Sequence, residues 1–208
     1  GGNNVYDVTV SVTDSIAAPV TQALQVTVTD VNDTNPPGDT VSLFEERAVT
    51  APSYNDNTAV ELGTRFTPVQ GGTVEALKYF RASGDSGDTD VRAGRLWDAS
   101  GNLLATATFT SGPGQSGWQT VALDTPIAVQ AGATYTVSYR TNDNYVSTGS
   151  FFGTTYQAPA GDLTAPGSNN GVYVYGSNVQ RPTSSYNASN YWVDVNFSNT
   201  LGDLVAPS

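Results

Sequence analysis

From Tyr6 onward the chain alternates between apolar and polar residues. Tyr6, Val8, Val10 and Val12 fall on one face of an extended segment, and Asp7, Thr9, Ser11 and Thr13 on the other. The same period-two pattern returns at Leu24, Val26 and Val28, set against Gln25, Thr27 and Thr29. The stretch between, Asp14 to Thr21, holds Pro19 and is long enough to reverse the chain. Residues 1–30 therefore predict a β-hairpin with strands at 5–13 and 23–30. Two strands alone are marginally stable in water, so the face bearing Val8, Val10, Val12, Leu24, Val26 and Val28 calls for apolar cover.

At Thr34-Asn35-Pro36-Pro37-Gly38 a proline pair and a glycine mark a linker. Beyond it the alternation resumes in short segments, predicting strands at 60–67, 73–81, 91–98, 103–110, 117–123, 133–141, 172–176 and 190–198. Turn residues separate them at Gly71-Gly72, Gly84 to Asp90, Ser100-Gly101-Asn102 and Ser111 to Gly117. Helical periodicity is nearly absent. The pattern predicts an all-β fold. A jelly-roll-like antiparallel β-sandwich occupies 41–200, the hairpin segment 1–33 precedes it, residues 34–40 link them, and 201–208 form a tail. The segment 142–170 is poor in strand pattern and rich in Tyr, Phe, Gly and Pro. Loops of that length in compact domains are commonly functional.

Composition narrows the chemistry. The 208 residues include no Cys, His or Met, which excludes a thiol nucleophile, a disulfide, an imidazole base and a His/Cys zinc site within the chain. An enzyme would have to work with carboxylates such as Glu45, Glu46, Glu61, Glu75 and Asp98, and no motif singles out a pair among them. The reading is therefore non-enzymatic. Acidic residues outnumber basic ones 19 to 8, for a net charge of -11. That field repels nucleic-acid phosphates and anionic lipid, and it suits divalent cations. No apolar run approaches the length of a membrane span. Charged residues are only 13%, and the polarity rests on Thr, Ser, Asn and Gly beside 11 Tyr, a balance expected of an extracellular or cell-surface β protein. The start at Gly1-Gly2, with no signal segment, reads as an internal piece with neighbouring domains in a larger chain.

Three groups carry candidate chemistry. Asp85, Asp88 and Asp90 place three carboxylates within six residues of a Gly-rich turn. Calcium needs six to eight oxygens and tolerates irregular geometry, so this is a candidate calcium site; the competing reading is a solvated turn. The stretch from Asn142, Asp143, Asn144 and Tyr145 to Phe152 and Tyr156 combines rings with amides and a carboxylate. Sugar C–H faces stack on rings while hydroxyls bond to planar polar groups, which makes these six residues candidate ligand contacts. Tyr173, Tyr175, Tyr186 and Tyr191 extend that surface. The competing reading places the rings in the core, although at Gly171 to Gly176 the valines Val172 and Val174 are the cheaper face to bury. Trp97, Trp118 and Trp192 fall in predicted strands and read as core. Lys78, the only lysine, reads as a side chain snorkelling at a sheet edge.

Two resemblances add to this. Val10-Ser11-Val12-Thr13-Asp14, followed by Val26-Thr27-Val28-Thr29-Asp30-Val31-Asn32-Asp33, resembles the last strands of a cadherin-like repeat. The resemblance implies calcium ligands at Asp14, Asp30 and Asp33, with Asn32 assisting. Glu61-Leu62-Gly63-Thr64-Arg65-Phe66, Gly94-Arg95-Leu96-Trp97, Gly117-Trp118-Gln119, Tyr135-Thr136-Val137-Ser138-Tyr139 and Asn190-Tyr191-Trp192-Val193-Asp194-Val195-Asn196-Phe197 are similar to the bacterial extracellular family called domain of unknown function 4082. That likeness covers about residues 42–198 and implies an accessory module beside adhesion repeats or glycoside hydrolases. The expectation is a non-catalytic, calcium-stabilised binding module of a bacterial surface adhesin or secreted multidomain protein, with a glycan or other extracellular ligand as partner. A calcium-stiffened spacer of an adhesin stalk is the alternative. A carboxylate-based enzyme of the glycoside-hydrolase kind is third.

Overall fold

The alternating segments fold as strands. The computed structural model describes residues 5–12, 20–27, 40–83, 91–112 and 114–199, which belong to two compact units, Gly1–Thr34 and Asn35–Ser208. In the first unit β1 (Val5–Val12) pairs antiparallel with β2 (Val20–Thr27). The register sets Tyr6 opposite Val26, Val8 opposite Leu24 and Val12 opposite Val20. Directly opposed residues share a face, so this register keeps the apolar positions together. The second strand begins three residues before the expected Ala23, at Val20. Val10 stands opposite Gln22 and is 45% exposed. Val28, Asp14, Asp30, Asn32 and Asp33 lie outside the described residues.

The second unit is an all-β antiparallel sandwich. Its strands are β3 (Ser53–Tyr54), β4 (Val60–Pro68), β5 (Gly72–Arg81), β6 (Val91–Trp97), β7 (Leu103–Thr110), β8 (Gly117–Val129), β9 (Tyr135–Thr141), β10 (Tyr145–Val146), β11 (Tyr156–Gln157), β12 (Leu163–Ala165), β13 (Gly171–Tyr175) and β14 (Val193–Ser198). The larger sheet runs β11-β12-β4-β9-β6-β7, with β13 also paired to β4; the smaller runs β14-β5-β8, and β3 and β10 form a short ribbon. The chain passes between the two sheets from β4 to β5, β5 to β6, β7 to β8, β8 to β9 and β13 to β14, the alternation of a jelly roll. No α-helix occurs among the described residues.

The strand period decides what is buried. Leu62 and Phe66 of β4, Leu96 of β6, and Val137 and Tyr139 of β9 face Leu77 and Tyr79 of β5 and Val193 and Val195 of β14. Across this core the rings of Tyr79 and Tyr139 stack at 4.5 Å. The opposite face of the smaller sheet is also covered. There Phe44 gathers Trp118, Phe151, Phe152, Tyr156 and Trp192 at ring separations of 5.3–6.4 Å. Trp97 and Trp192 are buried and Trp118 half-buried, with its Nε1 donating to the Arg47 carbonyl at 3.0 Å.

Charged groups are buried beside both sheets. Asp194 of β14 accepts the backbone N–H groups of Leu43, Phe44 and Val195, each at 2.8 Å, and so fastens the segment carrying Phe44. Lys78 departs from the edge position expected of it. Its strand is the centre of the smaller sheet, and its Nζ donates to Glu46 at 2.7 Å and to the Glu45 carbonyl at 3.3 Å, 5.1 Å from the Trp118 ring centroid. On the outer face of the larger sheet Arg95 pairs with Glu61, which also accepts from Ser138 Oγ at 2.7 Å. Trp97 Nε1 donates to the same hydroxyl at 2.8 Å.

Candidate functional site

β13 lies against β4 so that Tyr173 stands opposite Leu62 and Tyr175 opposite Val60. The valine face turns away, with Val172 fully buried, while Tyr173 is half-buried and Tyr175 is 49% exposed. The β3–β10 ribbon sets Tyr54 directly opposite Tyr145, and their rings stack at 5.9 Å with an interplanar angle of 29°. A third wall comes from residues 186–191, which turn through positive φ at Asn187 and Ala188. Tyr191 there meets Tyr145 edge-on at 6.2 Å and Tyr173 at 6.4 Å. This wall approaches β13 closely: a Cβ on Gly171 would lie 1.7 Å from the Ser189 carbonyl oxygen, so only glycine fits.

These walls enclose a cleft of about 530 Å³ floored by Val60 and Leu62. Six tyrosines line it, together with Asp56, Asn187, Ser147, Gly149 and Ser189. Asp56 Oδ2 accepts the hydroxyl of Tyr145 at 3.0 Å and that of Tyr175 at 2.8 Å. Both phenols are held neutral. Burial, then the bond to Asp56, pushes Tyr145 well above the usual tyrosine value. The bond to Asp56, then burial, pushes Tyr175 up to about 12. Tyr191 rises to about 12 mainly through burial. The cleft thus presents ring faces, phenol hydroxyls, an amide and one carboxylate.

The six expected ligand contacts separate. Tyr145 lines the cleft. Asn142, Asp143 and Asn144 stand behind it: Asp143 Oδ1 accepts Asn55 Nδ2 at 3.0 Å and the Asn144 N–H at 2.8 Å, tying the loop to the segment that carries Asp56. Phe152 is fully buried against Phe44, so it has no ring face to offer, and Tyr156 packs in the same cluster at 5.6 Å from Phe44. Both rings pin the long loop onto the smaller sheet. Tyr173, Tyr175, Tyr186 and Tyr191 do gather around Tyr145. Tyr54 and Asp56 escaped the sequence reading, although Tyr54-Asn55-Asp56-Asn57 is Asn142-Asp143-Asn144-Tyr145 written backwards.

None of the carboxylates considered for catalysis lines the cleft. Glu61 is behind the larger sheet, where burial raises its pKa against the lowering effects of Ser138 and Arg95. Asp98 is occupied with Asn102 at 2.7 and 2.8 Å. Asp85, Asp88 and Asp90 lie outside the described residues, as do Asp14, Asp30 and Asp33. Among the described residues no group of three or more acidic side chains is placed to hold a metal ion. No helix among them is long and apolar enough to cross a membrane.

A family model described as domain of unknown function (DUF4082) matches residues 46–193, more than half of the chain. The chain belongs to this family. The matched stretch contains every residue lining the cleft, from Tyr54 to Tyr191, so the cleft is a feature of the DUF4082 domain and not of the preceding hairpin. No curated protein matches the chain.

Proposed function

We propose that the chain is a non-catalytic binding module whose tyrosine cleft takes a saccharide, acting at a bacterial cell surface or in a secreted multidomain protein. One observation carries the reading: six tyrosines and one carboxylate converge on an open cleft of about 530 Å³. That size is usual for a small-ligand site, and the lining supplies both stacking faces and hydrogen-bonding groups. Asp56 is the single carboxylate there among the described residues, whereas glycoside hydrolysis ordinarily requires two. The extracellular setting is supported by the low share of charged residues and the Thr, Ser and Asn content. The burial of Phe152 and the packing of half-buried Tyr156 against Phe44 favour a spacer role for that part of the loop only.

Each ring contributes about 0.5–1.5 kcal/mol beyond its buried area, so single sites are weak and repeated sites gain by avidity. The exposed rings of Tyr54, Tyr175 and Tyr186 can be removed without opening the core. Tyr54→Ala/Tyr175→Ala/Tyr186→Ala should lose retention on insoluble polysaccharide columns while melting within a few degrees of the parent. Equal retention by both proteins would sink the assignment.

The proposal includes calcium held by Asp85, Asp88 and Asp90, which rests on their spacing in the sequence. Millimolar calcium should then raise the melting temperature by mass action on the folded state. Asp88→Ala/Asp90→Ala should abolish most of that rise; an undiminished rise would transfer the ion to the Asp14, Asp30 and Asp33 segment.

A further inference from the structure

We infer that the cleft selects a saccharide bearing a positive charge, an amino sugar in its ammonium form, with Asp56 as the counter-ion. This rests on the saccharide reading above. Among the described residues lining the cleft, Asp56 is the only charged one. Its Oδ2 accepts hydrogen bonds from two phenol hydroxyls, those of Tyr145 and Tyr175, which fix the carboxylate in place. No protein donor reaches Oδ1 among the described residues, and Asp56 is exposed, so that oxygen is open to a ligand. The second carboxylate nearby, Asp143, adds negative charge and is engaged only by neutral amide groups. The basic side chain on the adjoining strand, Arg140, directs its two terminal nitrogens to the carbonyls of Gly176 and Ser177, at 2.7 Å each.

The rings point the same way. An aromatic face carries negative potential and attracts a cation within about 6 Å of its centroid. Tyr54, Tyr145, Tyr173, Tyr175 and Tyr191 line the same cleft as Asp56, and the phenols that bond to Asp56 stay protonated at neutral pH. A pyranose stacked on these rings with an ammonium group at its edge would satisfy the stacking and the charge together. The net charge of -11 draws such polymers in and repels uronate- and sialate-bearing ones.

The test is calorimetric titration of the whole chain with a β-linked glucosamine hexamer, its fully N-acetylated counterpart, a cellohexaose control and a uronate hexamer, at a pH where the amine is protonated. A charge-assisted contact implies that the glucosamine hexamer binds about tenfold more tightly than the acetylated one. That preference should shrink as salt is raised from roughly 0.1 to 1 M, a readout that needs no variant. Asp56→Asn should bring the two affinities within about twofold of each other. Equal or reversed preference in the parent, or binding of neutral hexamers alone, overturns the charge selection and leaves the saccharide reading standing. A preference that survives Asp56→Asn removes Asp56 from the assignment. Binding of none of the four, together with no retention on any polysaccharide, overturns the saccharide reading itself.

Discussion

Asp194→Ala should cost at least about 3 kcal/mol of folding stability at neutral pH, read as a lowered urea midpoint. The carboxylate is buried and is the partner of three backbone N–H groups, those of Leu43, Phe44 and Val195. Truncation leaves three donors without an acceptor in the interior, each costing about 1–3 kcal/mol. It also frees the segment that holds Phe44 in the middle of its aromatic cluster. Asp194→Asn should be milder, because one amide oxygen can still accept while the NH₂ group meets the Phe44 N–H. The pH dependence separates charge from shape. Burial raises the Asp194 carboxyl from 3.8 to about 6, against the pull of its three bonds and of Lys78. A raised folded value means that the protonated form is favoured by the fold. The corresponding stability is fully present below about pH 4 and lost as the pH rises through about 6. The asparagine variant should not show that loss. A midpoint unchanged by alanine would contradict the role assigned to these bonds.

Arg95→Ala should cost about 3–5 kcal/mol at neutral pH, because it strands a buried carboxylate. Glu61 is 2% exposed and Arg95 is its guanidinium partner. Burial already raises Glu61 above its ordinary 4.5, and loss of Arg95 raises it further. The ionised form then becomes the costly one, so the deficit should grow as the pH rises through the raised value that Glu61 has in the parent and shrink below it, where Glu61 is protonated with or without Arg95. Chemical denaturation at acid and neutral pH reads this directly. A loss of equal size at both would assign the effect to the packing of the arginine stem.

Where large apolar residues alternate along a strand, the sequence shows it. β5 forms over Gly72–Arg81 where alternation predicts 73–81, because Leu77 and Tyr79 face the core while Lys78 and Phe80 face the other way. β8 runs on to Val129, past Pro126, which reads as a breaker in isolation and is accommodated within the register shift, between the pairs Ala76–Ala122 and Val74–Ile127. Two-residue strands such as Ser53–Tyr54 carry no period at all, so the ribbon that pairs Tyr54 with Tyr145 was not legible. The fate of Phe152 depends on Phe44, more than a hundred positions away in the chain, and nothing local distinguishes it from an exposed ring. The cleft was half legible for the same reason. Tyr145, Tyr173, Tyr175, Tyr186 and Tyr191 stood out by type, but Asp56 gains its role from where Tyr145 and Tyr175 place their hydroxyls.

The measurement that bears most directly on the account is a printed glycan array probed with the parent chain and with Tyr54→Ala/Tyr175→Ala/Tyr186→Ala, with folding of both verified by melting. The account expects the parent to be retained on at least one class of saccharide, strongest where amino groups are free, and the variant to lose that signal while remaining folded. Retention of neither protein on any saccharide, or of both alike, would contradict it.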